Sequence, residues 1–105
     1  MAKVCFMFVQ SDDIKDTYDG IRSTLGQSVA NHYAYAAILD FELGELDEYN
    51  SENIDWIRDM EGDVYSNVQA NIDNNGLTPI TLEELGKKIL EVDVVIPYGV
   101  ENRVK

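Results

Sequence analysis

The chain has 105 residues, 45% of them hydrophobic and 27% charged, and its twenty Asp and Glu against eight Lys and Arg leave a formal net charge of −12. That length suits one domain around a single core, and the composition excludes a disordered chain. Such a negative balance excludes nucleic acid and anionic membrane surfaces as partners.

The single cysteine, Cys5, rules out an intramolecular disulfide. The apolar run at the start is too short for a signal sequence, and no apolar run reaches the roughly 18 residues of a membrane helix. The expectation is a soluble, cytoplasmic protein forming one domain over residues 1–105, with 99–105 as a tail.

The first element is "KVCFMFVQ", residues 3–10. An apolar run without alternation fits a strand buried on both faces, as in a parallel sheet. "SDD" follows, with Asp13 or Asp16 placed to cap a helix. Ile14, Tyr18, Ile21, Leu25 and Val29 then recur at helical spacing, marking a buried face that runs to about Asn31 and His32. "YAYAAILDFEL", residues 33–43, reads as the next strand, because a helix continued from 14 to 43 is too long for so small a domain. After an acidic connection, Ser51 or Asn53 is placed to cap a helix over "ENIDWIRDM".

Gly62 ends that helix, and "DVYSNV" reads as a third strand. "NNGLTPI" is turn-rich. Thr81 and Glu84 form a capping box for a helix whose buried face is Leu82, Leu85, Ile89 and Val92. "DVVIPYG" is the last strand. Strands alternating with helices predict a three-layer α/β/α sandwich with a small, mostly parallel sheet of about four to five strands. Ligands of such sheets bind beyond the carboxyl ends of the strands. Those ends are "QSDD", the segment after 40, the amide-rich stretch and "PYG".

The amide-rich stretch, "DVYSNVQANIDNNGLT" over residues 63–78, invites a calcium loop. Asn71, Asp73, Asn75 and Gly76 match positions one, three, five and six of an EF-hand. The twelfth position is Leu82 instead of Glu, and Pro79 interrupts the loop, so no calcium or other metal site is expected. Asp12 and Asp13 follow the first strand, where receiver domains keep an acidic pair, but the aspartate and lysine those domains need are missing. Helix capping is the plainer role for Asp12, Asp13 and Asp16. Cys5, mid-strand among Val4, Phe6 and Phe8, reads as packing, and His32 has no companion for a metal set. Tyr33 and Tyr35, two apart on one strand, share a face that is either core or subunit interface.

The strand "KVCFMFVQSD", the helix "DTYDGIRSTLGQSVANHY", the strand "AYAAIL" and the ending "ITLEELGKKILEVDVVIPYG" together resemble the DsrE/DsrF-like sulfur-relay family over residues 3–99. The resemblance implies a small α/β sandwich that assembles as a homo-oligomer (dimer, trimer or hexamer). It also implies a persulfide-carrying cysteine near the end of the third strand, shortly before a glycine that ends a short helix. That glycine corresponds to Gly76, and the cysteine position falls at Val68, flanked by Asn67 and Gln69. None of the three is a thiol, so persulfide transfer is not expected.

What remains is a non-catalytic DsrE-like binding or assembly subunit, with another protein or itself as partner and no cofactor. Its pocket candidates are Asp12, Asp13, Asn67, Gln69, Asn71 and Tyr98. The alternatives are an enzyme using Asp12 and Asp13 with the amide-rich loop on a small polar or phosphorylated substrate, and a degenerate receiver-like signalling module.

Overall fold

A computed structural model describes residues 3–98. In chain order the elements are β1 (Val4–Val9), α1 (Ile14–Val29), β2 (Tyr33–Ile38), α2 (Glu48–Asp59), β3 (Asp63–Ser66), α3 (Gln69–Asn75), β4 (Thr78–Pro79), α4 (Leu82–Ile89) and β5 (Val94–Tyr98). The five strands form one sheet in the order β4-β3-β2-β1-β5, and every pairing is parallel. The three-layer α/β/α sandwich with a small parallel sheet is therefore the fold.

The strands separate two apolar layers through their period of two. On one face Cys5, Met7, Val9, Ala34, Ala36, Ile38 and Val64 pack against Ile21 of α1 and Ile54 and Ile57 of α2. On the other, Phe6, Phe8, Ala37, Tyr35 and Tyr65 pack against Leu85 and Ile89 of α4. Alanines at 34, 36 and 37, all fully buried, let helices approach the middle strand closely. Gly62 serves the same end where α2 turns into β3: a Cβ there falls 2.0 Å from the carbonyl oxygen of Ala34.

Both edges of the sheet are blunted. The edge strands β4 and β5 contain the chain's two prolines, Pro79 and Pro97, which lack the N–H that a further strand would need. β4 is only two residues long and is pinned by Arg58, whose guanidinium bonds Asp63 at 2.9 Å and the carbonyl of Gly76 at 2.7 Å. The Thr78 hydroxyl donates to the same Asp63 carboxylate.

Several sequence expectations change. The cap of α2 is Asp47, whose carboxylate accepts from the backbone and side chain of Asn50, so Ser51 and Asn53 lie inside the helix. The second strand stops at Ile38, because Asp40 takes a left-handed φ of 69° that no strand accommodates. β4 forms within the stretch read as turn. Val29 is 62% exposed: sixteen residues of α1, at about 1.5 Å each, outrun the six-residue strands beneath. Leu82 is 59% exposed, on the flank of α4. The proposed tail, 99–105, lies outside the described residues. Asp13 does cap α1, and Thr81 and Glu84 do form the capping box of α4.

On the α4 face, Phe6, Tyr35 and Tyr65 stack with ring centres 5.9 to 6.3 Å apart, and Lys88 Nζ lies 5.5 Å from the Tyr65 ring centre. Burial, and next the neighbouring Tyr65, raises the Tyr35 hydroxyl above its ordinary value, with Lys88 opposing. Burial and then Asp63 raise Tyr65. The folded state therefore holds these protons more tightly than the unfolded chain does. That contribution is intact below the unfolded value of 10.0 and is lost as pH climbs through the raised values. In urea titrations the native chain should lose stability above that pH, and the Tyr35→Phe, Tyr65→Phe double variant should lose clearly less. Parallel losses in both chains would show that the two tyrosines are not responsible.

Candidate functional site

A parallel sheet brings all strand carboxyl ends to one edge, and binding crevices open where neighbouring strands send their following helices to opposite faces. Here that point lies between β3, which leads into α3, and β4, which leads into α4. A shallow crevice of about 370 Å³ occupies it, lined by Ser66, Asn67, Gln69, Ile72, Ile80, Thr81 and Glu84, among others.

Of the six candidate residues only Asn67 and Gln69 line this crevice. Asp12 and Asp13 follow β1, separated from β3 by the whole of β2, and Asp13 is spent capping α1 through a 3.0 Å bond from Lys15 N. Tyr98 lies on the opposite edge strand, packs toward the α1 side and shares a hydrogen bond with the Ser23 hydroxyl. Asn71 is fully buried. The structure thus disperses the set that the strand-end rule had gathered, because sheet order places β1 and β5 away from β3.

The amides have a common purpose that spacing shows only once the partners are known. Asn67, Asn71 and Asn75 recur every fourth residue, which puts them in a row along one face of α3 and its approach. Each amide takes a backbone N–H of the segment after β2 on its oxygen. Asp40 N bonds Asn67 Oδ1 at 2.9 Å, Leu43 N bonds Asn71 Oδ1 at 2.7 Å, and Leu46 N bonds Asn75 Oδ1 at 2.9 Å. Each also donates back, Asn67 to the Asp40 carboxylate, Asn71 to Phe41 O and Asn75 to Gly44 O. Residues 41–47 have no regular partner of their own, so the ladder replaces a strand's hydrogen bonds with side-chain amides. Satisfied this way, the segment can lower Leu43 and Leu46 into the core.

Ser66 completes the arrangement at the base. Its buried hydroxyl donates to Ile38 O at 2.7 Å and accepts from Val68 N and Asn71 Nδ2. In the crevice, then, Ser66 and Asn67 are fully engaged in holding the fold, and Thr81 and Glu84 hold each other's backbone N–H. Gln69 is the exception: its amide nitrogen donates to Asp73, and among the described residues no donor meets its carbonyl oxygen.

Val68, the residue at the strand end, is the N-cap of α3, and Gly76 ends that helix with a left-handed φ of 68°. Cys5 lies on the other side of the sheet's centre, 3% exposed, its thiol raised above its ordinary value chiefly by burial and next by Asp93. His32 accepts the backbone N–H of Lys3 on Nδ1. Among the described residues no group of three or more His, Cys, Asp or Glu is placed to hold a metal ion, and no helix is long and apolar enough to cross a membrane.

The ladder has a direct test in urea unfolding. Asn71→Ala strands Leu43 N and Phe41 O and removes one of the three partners of the Ser66 hydroxyl, and should cost about 3 kcal/mol. Gln69→Ala, only two residues away, should cost less than about 0.5 kcal/mol. Equal effects would remove the distinction between structural and free amides.

Comparison with known proteins finds no match for this chain among family models, curated proteins or solved structures.

Proposed function

We propose that this chain is a non-catalytic, DsrE-like binding or assembly subunit, tied to sulfur or redox metabolism by resemblance but without persulfide transfer. It works as a homo-oligomer in the cytoplasm. The observation that carries this reading is the state of the β3 strand end. Where the resembling family keeps its reactive thiol, this chain has Val68 between Asn67 and Gln69, at the mouth of a crevice whose polar groups mostly serve the fold. A persulfide carrier needs an accessible thiolate. Cys5 is buried mid-sheet with a raised pKa and meets neither condition.

The crevice suits a small, neutral, hydrogen-bonding group, such as a peptide amide from a partner. Among the described residues no donor meets the Gln69 carbonyl there, while Glu84 and the net charge of −12 disfavour anions. The enzyme alternative required Asp12 and Asp13 to share a site with the amide-rich segment, and they lie two strands apart. No observation favours the receiver-like alternative.

Incubation with inorganic polysulfide followed by mass spectrometry checks the reading. The native chain should stay unmodified and become modified only once unfolded, when Cys5 is exposed. Val68→Cys places a thiol at a helix N-cap, where its pKa falls, and should take up sulfur in the native state. Rapid modification of Cys5 in the native protein would sink the proposal.

A further inference from the structure

Two large aromatic side chains stand outside the core on one helix. Tyr49 is 57% exposed and Trp56, the only tryptophan, is 60% exposed. They lie two turns apart on α2, one above the other on the same flank. Single exposed apolar residues are ordinary on a protein surface, whereas tyrosine and tryptophan together are the side chains that carry binding energy at interfaces.

The contacts of each helix fix which way that flank points. Arg58 of α2 reaches Asp63 and the carbonyl of Gly76, on the β4 side. At 100° per residue Tyr49 and Trp56 lie on the opposite flank, toward α1. On α1, Gly20 and Ser23 lie beside Tyr98 of β5, so Tyr18, Leu25 and Val29 lie on the flank toward α2. The outer side of the α1–α2 seam is therefore lined by aromatic and aliphatic side chains. Asn53 sits within it, four residues after Tyr49 and three before Trp56. It is only 8% exposed, and among the described residues its amide nitrogen has no acceptor.

Beside the aromatic pair runs a row of charge. Glu48, Glu52, Asp55 and Asp59 recur at spacings of four, three and four, and all are exposed. Among the described residues none of the four has an ion pair. Like charges at these spacings cost the helix stability, and Asp59 also opposes the dipole at its C-terminal end.

We infer that this face docks an arginine-rich segment of another protein. A guanidinium plane stacks on Trp56 or Tyr49 while its N–H fork reaches Glu52 or Asp55, which joins the two rows in one contact. A peptide carbonyl of the segment supplies the missing acceptor once the Asn53 side chain turns outward. The acidic row repels the same face of a second copy, and the net charge of −12 steers a cationic partner in. The surface is separate from the crevice at β3, and neither reading depends on the other.

Trp56 reports on its own surroundings, so a fluorescence titration of the full chain with synthetic oligoarginine tests the inference. Emission of the free chain should be that of a solvated indole and should shift to the blue as peptide binds. Oligolysine of equal length should bind at least about threefold more weakly, because an ammonium is a point charge that does not fork onto a carboxylate. Glu52→Gln with Asp55→Asn should weaken oligoarginine binding at least about tenfold, and Tyr49→Ala at least about threefold, with circular dichroism unchanged. Glu83→Gln with Glu91→Gln removes the same charge elsewhere and should change affinity less than about twofold. Equal losses in the two double variants, or equal binding of the two peptides, would reduce the effect to net charge and overturn the inference. So would an absence of binding, or a free chain whose Trp56 is already shielded by a second copy or by another part of the same chain.

Discussion

The row of asparagines along α3 holds together the part of this molecule that has no secondary structure to hold it. The segment between β2 and α2 must cross the carboxyl edge of the sheet and still bury two leucines. Its backbone groups would each lose a hydrogen bond on leaving water, a cost of about 1–3 kcal/mol apiece. Three primary amides, each with a donor and an acceptor, answer that demand residue by residue. Leu43 and Leu46 then close the core between α2 and α3, and α2 starts from a defined point at Asp47.

The same ladder explains why the crevice at β3 and β4 carries so little chemistry. A binding site needs polar groups left over after the fold has been satisfied. Here Ser66 and Asn67 border the crevice, but their polar groups are committed elsewhere, to Ile38, Val68, Asn71 and Asp40. The amides that look like ligand groups in a linear reading are backbone partners in three dimensions. Gln69, out of the row, has no donor on its carbonyl oxygen among the described residues.

The two sides of the sheet are unequal in a way that follows from connection order. Successive steps from β1 to β3 move across the sheet in one direction and stack α1 and α2 on one side. Among the described residues only the return from β4 to β5 crosses the other side, so α4 alone covers it. The aromatic stack of Phe6, Tyr35 and Tyr65 supplies bulk on that side, while among the described residues Val95 and Pro97 of β5 stay exposed.

The alternating apolar runs and helical faces of the sequence by themselves determined the layers, the parallel sheet, the burial of Cys5, the cap at Thr81 and, to within Asp13 or Asp16, the cap of α1. These are local consequences of side-chain period and hydrogen-bonding capacity, and each is readable within about ten residues. The cap of α2 was expected at Ser51 or Asn53 and instead falls at Asp47. What only the tertiary structure decided is which strand ends are neighbours, and hence that Asp12, Asp13 and Tyr98 stand apart from Asn67 and Gln69. Strand order is set by how helices cross and pack over the sheet, a long-range matter that no window of sequence contains. The meaning of the amides was decided there as well, because the partners that use them lie about thirty residues away along the chain.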